Sequence, residues 1–485
     1  MLLGLKKYQI ALLFLALAVV FLLVYSPHFN YPFPYHVDEW HHIDSTKKIM
    51  SKGIDNGINL ELGFHLFLLP LAFLTDLVLI YKFLPALWAV FSALALFFVS
   101  YKKTEDNFWI GFLAVIFFAS LKSNVNLLGL WFFTPLTFSL PFIFLYIYFF
   151  SEGLAKENKK YILAALAIMF FLLPIHAVSV LFALPFLFIY SLLNYRYLIE
   201  EYKFFSSFLL IPAAGAFFYQ YSFGINTSEL FGHLLNNLQF KHGWGVLELK
   251  NSLTELYSFL GYILAAAGAI FILEKKEFKK YAVYILWPVW LAILIIIFRF
   301  TGVSYLSPFQ RNLYYLVMAL PFLSAVGLYL IIKAVGEQLL DKELKILIAT
   351  TVVFLSFVLV FQNYYTIPYQ VDLYKVIDED DYQALLFLST LPKSGKVMAD
   401  PFIATAVRPV SGHGSLASLF FNTDQGVRQS VELFFLTKDC GIWDIILSRI
   451  KIGTRISYVL SKDMIDCGWD LAAERNNYYI YKTDE

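Results

Sequence analysis

The chain has 485 residues, 59% hydrophobic and 19% aromatic, with 37 basic and 36 acidic side chains for a net charge of +1. That is more apolar surface than a soluble globular protein can bury, so the composition predicts a polytopic membrane protein. The balanced charge leaves no basic excess for nucleic acid, and the lysines cluster between apolar runs, where they set orientation in a membrane.

Lys6 and Lys7 precede an apolar run from Tyr8 to Val24, and Tyr25-Ser26-Pro27-His28 lacks a small-x-small cleavage site. The run reads as an uncleaved first span with its N-terminus in the cytoplasm, followed by a first external loop over residues 26–60. In that loop Tyr35-His36-Val37-Asp38-Glu39-Trp40-His41-His42-Ile43-Asp44 gathers three carboxylates and three histidines. A helix ended by Gly53, with Lys47, Lys48 and Lys52 near its negative end, would put Asp38, His41 and His42 on one face. Two chemistries fit. Asp38, or Glu39 beside it, could take a proton from a hydroxyl, or a carboxylate with His41 and His42 could hold a divalent metal. The plain alternative is an interfacial helix that keeps its charges in water.

Residues 61–79 are apolar but contain Glu61, His65, Pro70, Thr75 and Asp76. Lysine placement decides whether they cross. If they form a helix on the outer face, the next span runs from about Tyr81 to Tyr101, and every later basic cluster falls on the cytoplasmic side. Glu61 and His65, at i and i+4, serve either as cap and packing or as cavity lining. About eleven spans follow from the ~20-residue rule, several of them proline-broken.

The outer face then receives the segment Lys122 to Thr134, the turn Pro174-Ile175-His176, the loop Ser222 to Glu255 and the loop between Arg299 and Arg311. His176 is either a buried histidine satisfied by a backbone carbonyl or a cavity residue. Arg299 and Arg311 either snorkel at the hydrocarbon boundary or clamp a phosphate, for which the guanidinium fork is suited. Lys241 and His242, before Gly243-Trp244-Gly245, could add donors, and Asn226-Thr227-Ser228 matches a glycosylation acceptor.

After the last span, near Lys345 to Phe361, the composition turns polar and acidic at Asn363 to Asp381. The remainder reads as a small external α/β domain. Lys396 to Ala399, Ile456 to Leu460 and Tyr478 to Tyr481 are its strands, and Tyr382 to Leu391 and Asp424 to Leu436 its helices. Cys440 and Cys467 are a disulfide pair or two thiols. The chain has no Gly-rich phosphate loop, Walker lysine or Gly-x-Ser-x-Gly, which excludes a nucleotide-driven pump. Span interiors are almost free of ionisable residues and no internal repeat is visible, which argues against a secondary transporter.

The external Asp38-Glu39, a following helix of the Gly63-Phe64-His65-Leu66 type, many short spans, an external arginine leading into Gln310-Arg311-Asn312-Leu313-Tyr314 and a C-terminal external domain together resemble the GT-C superfamily. Its members are membrane glycosyltransferases that use polyprenyl-phosphate sugars, including protein O-mannosyltransferases and the aminoarabinose transferase of lipid A. The resemblance implies an α-helical polytopic protein of about eleven transmembrane helices. Residues 1–362 would form the catalytic membrane domain and 363–485 a small extracytoplasmic α/β domain.

It also implies an inverting hexosyl- or pentosyltransferase of the plasma membrane, moving sugar from a polyprenyl-phosphate donor to a lipid, glycan or protein acceptor on the extracytoplasmic face. Asp38 or Glu39 matches the family's acidic position, as base or metal contact. Arg311, helped by Arg299, is placed like arginines that face the lipid phosphate, with His176, Glu61 and His65 as further substrate-binding candidates. Asp38 and Arg311 would then have to face one pocket. Lys122-Ser123-Asn124-Val125-Asn126 stands where many members carry a second acid, which puts a two-acid metal site in doubt. A polar-solute transporter and a lipid-linked glycan polymerase or ligase are the competing classes.

Overall fold

The computed structural model describes residues 4–53, 61–123, 129–207, 232, 236, 238–241, 253, 256–274, 278–338, 342–361, 375–420, 423–450 and 454–483. The chain is mostly helical and divides into two compact units. One comprises Met1–Val24, Ala86–Trp131 and Pro135–Ile367, the other Tyr25–Pro85, Phe132–Thr134 and Pro368–Glu485.

Among the described residues, six helices are long and apolar enough to cross a membrane: Lys7–Phe29, Leu77–Lys103, Pro135–Ala155, Lys159–His176, Phe278–Thr301 and Phe309–Glu337. The protein is an integral, multi-pass membrane protein. Leu62–Leu74, Phe108–Ala119, Val178–Leu192 and Phe259–Glu274 are apolar but shorter. The first of these has 13 residues and extends only about 20 Å, against the ~30 Å of a hydrocarbon core. Polar Glu61 precedes it and Thr75 and Asp76 follow it, so it suits a position along a membrane surface.

In the first unit, ion pairs gather the basic clusters at one end. Lys103 and Lys156 lie 2.5 and 2.7 Å from the two oxygens of Glu152. Lys280 reaches Glu105 at 2.6 Å, and Lys159 reaches Glu201 at 2.6 Å. The helix Lys159–His176 then carries the chain about 26 Å from Lys159, so His176 stands at the far end. Two glycines set the closest helix contact described. A Cβ at Gly268 would lie 2.1 Å from the Leu323 carbonyl oxygen, and one at Gly327 would lie 2.1 Å from that of Leu264. The helices Phe259–Glu274 and Phe309–Gln338 therefore touch backbone to backbone. Two short strands, β1 (Gln239–Lys241) and β2 (Val303–Tyr305), pair antiparallel.

The second unit holds a five-stranded sheet of order β4-β3-β5-β7-β6, made of β3 (Lys396–Met398), β4 (Gly414–Ser415), β5 (Ile456–Ser461), β6 (Asp470–Arg475) and β7 (Tyr478–Lys482). β3 runs parallel to β4 and β5, while β7 is antiparallel to β5 and β6. Helices Glu379–Leu388, Pro401–Ser411, Gln425–Thr437 and Gly441–Arg449 connect and cover it. β3, β5 and β7 lie where alternation and β-branched residues predict strands. β6 escapes that reading because Asp-Leu-Ala-Ala-Glu-Arg is an exposed edge with no apolar face to bury. Cys440 and Cys467 form a disulfide, which resolves the two alternatives the sequence allows.

Candidate active site

In the second unit the helix Val37–Lys52 forms where its sequence predicts it. His36 is the N-cap, with extended backbone, and its Nδ1 accepts the Asp38 N–H at 3.0 Å. Glu39 completes a capping box in which histidine takes the usual place of serine or threonine. Gly53 ends the helix at φ 79°, and its N–H bonds the Ile49 carbonyl. Of the lysines near that end, Lys48 turns back to Asp44 at 2.6 Å, and Lys47 donates to the Pro409 carbonyl. Asp44 is buried and also faces Arg408 Nε at 3.5 Å.

The two adjacent carboxylates have different surroundings. Glu39 is 1% exposed. Its Oε2 accepts the N–H groups of Tyr35 (3.0 Å) and His36 (3.1 Å), and its Oε1 accepts that of Phe133 (2.8 Å). Tyr81 donates to the Phe133 carbonyl at 2.6 Å, so both backbone polar groups of Phe133 are held. Burial pushes the Glu39 carboxyl up to about 8 while the three donors pull it down. It is a tie between segments 94 positions apart, with no open side for a substrate. The Asp38 side chain is 33% exposed, 3.5 Å from His36 Nδ1, and is the more open carboxylate of the pair. Glu39→Ala would remove the carboxylate acceptor from three N–H groups, at about 1–3 kcal/mol each. A clear fall in the thermal midpoint of the purified protein is expected, where Glu39→Gln, which keeps one acceptor oxygen, loses less.

The three histidines of the loop also separate. His41 packs edge-on against Phe420, ring centres 5.1 Å apart, and against His42 at 5.7 Å, and is outside the metal-ligand grouping found among the described residues. His42 Nδ1 lies 3.1 Å from His65 Nε2 and 3.9 Å from Glu61 Oε2. Burial pushes the His65 imidazole down to about 4, so it is neutral at ordinary pH. The structure thus groups His42 with Glu61 and His65, and not with His41 and Asp38.

In the first unit, the end remote from the lysine clusters carries His176, Arg299 and Arg311. Arg311 lies in the first turn of the helix Phe309–Gln338, and Tyr315 is one turn on, on the same face. The Tyr315 hydroxyl is 3.0 Å from Ser179 Oγ, which is 2.6 Å from His176 Nδ1. The partners of His176 are hydroxyls, where a backbone carbonyl is the simpler expectation. The Arg311 charge acts on both His176 and Tyr315. Next to it, Asn312 is fully buried and bonded to Ser304 on β2 at 2.9 Å and to Ser307, which fixes this turn. The Arg299 guanidinium lies over the Phe309 ring at 5.2 Å.

His176, Arg311 and Arg299 are therefore brought to one end of one unit. Ser179 and Tyr315 join them without being singled out by the sequence, although the i+3 and i+4 spacings from His176 and Arg311 are the signal that could have found them. Asn124 to Asn126, Asn226 to Ser228 and His242 to Gly245 lie outside the described residues, as does the Lys241 side chain.

No family model and no curated protein matches the chain. Solved structures do. The archaeal oligosaccharyltransferase AglB from Archaeoglobus fulgidus, in complex with an inhibitory peptide and a dolichol-phosphate, is similar at TM-score 0.60 and 11% identity, over 94% of this chain and 69% of that one. The same oligosaccharyltransferase in complex with zinc and sulfate is similar at TM-score 0.54 and 11% identity, over 93% and 67%. ArnT from Cupriavidus metallidurans, bound to undecaprenyl phosphate, is similar at TM-score 0.56 and 11% identity, over 98% of this chain and 97% of that one. At such identities the likeness is one of fold. The fold is one shared with these oligosaccharyltransferase and ArnT structures.

Proposed function

We propose that this protein is a membrane glycosyltransferase. It moves a hexosyl or pentosyl group from a polyprenyl-phosphate carrier to a hydroxyl of a lipid, glycan or protein acceptor, on the extracytoplasmic face of the plasma membrane. The observation that carries the reading is the fold shared, over nearly the full length of both chains, with a protein bound to undecaprenyl phosphate.

In this reading residues 1–362 form the catalytic membrane domain of about eleven spans and 363–485 an extracytoplasmic domain. The gathering of Lys103, Lys156 and Lys280 at one end supports a cytoplasmic side there. His176 and Arg311 then belong to the outer side.

The chemistry is a single displacement. Arg311, with Arg299 assisting, holds the donor phosphate and neutralises the charge that grows on it as the anomeric C–O bond breaks. Asp38 takes the proton of the acceptor hydroxyl, whose oxygen attacks the anomeric carbon from the opposite face, so the configuration inverts. The products are the glycosylated acceptor, polyprenyl phosphate and protonated Asp38, which returns its proton to water. Tyr315, Ser179 and His176 supply hydroxyl and imidazole groups beside Arg311 to orient the donor. Glu39 holds the base's helix in place.

Donor recognition is open to direct test by titrating the purified protein in nanodiscs with undecaprenyl phosphate. Wild type is expected to bind saturably and Arg311→Ala about 10- to 100-fold more weakly, since a hydrogen bond to a charged group contributes about 1.5–3 kcal/mol. Arg311→Lys keeps the charge without the fork and should fall between them. A wild-type protein with no saturable affinity for the lipid phosphate contradicts the reading.

A further inference from the structure

We propose that His42, Glu61 and His65 form a zinc site that clasps the helix Val37–Lys52 to the first turn of the helix Leu62–Leu74. One atom from each residue, two imidazole nitrogens and a carboxylate oxygen, lies within 4.8 Å of the others. His42 and His65 are 3% and 0% exposed, while the Glu61 side chain is 34% exposed.

The spacing suits one ion. Two nitrogens bound at 2.0–2.1 Å with a tetrahedral angle lie about 3.3 Å apart, and His42 Nδ1 and His65 Nε2 stand at 3.1 Å. Glu61 Oε2 is 3.9 Å from His42 Nδ1 and the three ligand atoms lie within 4.8 Å of one another, so the carboxylate reaches the same span by a shift of up to about 1.5 Å through its rotamer freedom. The donor set selects the metal. Imidazole nitrogen favours zinc over calcium or magnesium, which take oxygen ligands, and three protein ligands leave zinc one exchangeable position.

Without an ion the two rings meet in a single N–H···N contact at 3.1 Å. His65 Nδ1 is buried with no hydrogen-bond partner among the described residues, so the ring's polar contact is Nε2 against His42. Two facing imidazole nitrogens can share only one proton. A dication there engages both lone pairs, and Glu61 supplies part of the compensating charge. Helical geometry prepares the set, since Glu61 and His65 share a face at i and i+4 and His42 reaches them from the other helix. His41, on the opposite contact with Phe420, is outside the site.

This site is independent of sugar transfer and is tested by metal content. Full-length protein is stripped with chelator, dialysed, given zinc, freed of excess and analysed by mass spectrometry for bound metal, with thermal unfolding alongside. The expectation is about one zinc per chain, with a raised unfolding midpoint. His65→Ala should lose the metal. Glu61→Gln, at the exposed ligand and nearly isosteric, should keep its chelated-state midpoint and bind at least tenfold more weakly, while His41→Ala binds as wild type does. A wild type that stays zinc-free overturns the proposal, as does a Glu61→Gln protein that binds as tightly as wild type. Either result leaves the transferase reading standing, because that reading is judged by donor binding and turnover.

Discussion

Asp38→Asn is expected to slow single-turnover sugar transfer by about 10²–10⁴-fold, the usual contribution of a positioned general base. That corresponds to about 2.7–5.5 kcal/mol of barrier. The effect on folding should be far smaller. The Asp38 side chain makes no cap bond, because the hydrogen bond at this position uses its backbone N–H and His36 Nδ1. Losing a carboxylate from the first turn of a helix removes about 0.3–1 kcal/mol of dipole stabilisation, so chemistry dominates. Rapid-quench rates with labelled donor, set beside thermal midpoints, separate the two. Unchanged rates in Asp38→Asn would remove this residue from the mechanism.

The second large effect concerns assembly of the membrane unit. Gly268→Val or Gly327→Val would place a Cβ 2.1 Å from a carbonyl oxygen of the facing helix, less than the contact distance of any carbon and oxygen. The obstacle is backbone, so no side chain can swing away. The helices must separate by more than an ångström and lose their packing along the seam. In a membrane that packing, not the hydrophobic effect, holds helices together. A loss of about 3 kcal/mol or more is expected, toward the high end for overpacking. It should appear as a collapse in monodisperse yield on size-exclusion chromatography, with Gly336→Val, at a position open to 4 Å around its Cβ, as the control.

Features set by local chemistry were legible from the residues alone. Gly53 and the lysines just before it marked the end of the helix 37–52, and alternation marked three strands of the sheet. Lysine placement marked 61–79 as one outer-face segment, where the structure has a 13-residue helix Leu62–Leu74 and the next helix already begins at Leu77. Features that depend on the chain returning to itself were not legible. Nothing in the sequence near Glu39 announces that Phe133, 94 residues on, will donate to it, so Glu39 reads as the second choice after Asp38 for a role that its buried backbone ties leave it no room to fill.

The partition of histidines was hidden for the same reason. Spacing alone joins His41 to His42, whereas the way the two helices pack turns His42 toward Glu61 and His65. Tyr315 and Ser179 are 136 positions apart and look like ordinary residues of apolar helices. Gly268 and Gly327 gave no signal, because a small residue in a hydrophobic run acquires meaning only from the helix that faces it.

The most direct measurement gives purified protein in proteoliposomes an undecaprenyl-phosphate hexose or pentose labelled in the sugar, together with a cell-envelope extract as acceptor. Carrier and sugar are then followed separately. The account predicts that label leaves the lipid one for one with the appearance of undecaprenyl phosphate and reappears on an acceptor, and that Asp38→Asn slows this about 10²–10⁴-fold while still binding the lipid. A donor that stays intact while the protein moves a polar solute across the same bilayer would contradict it.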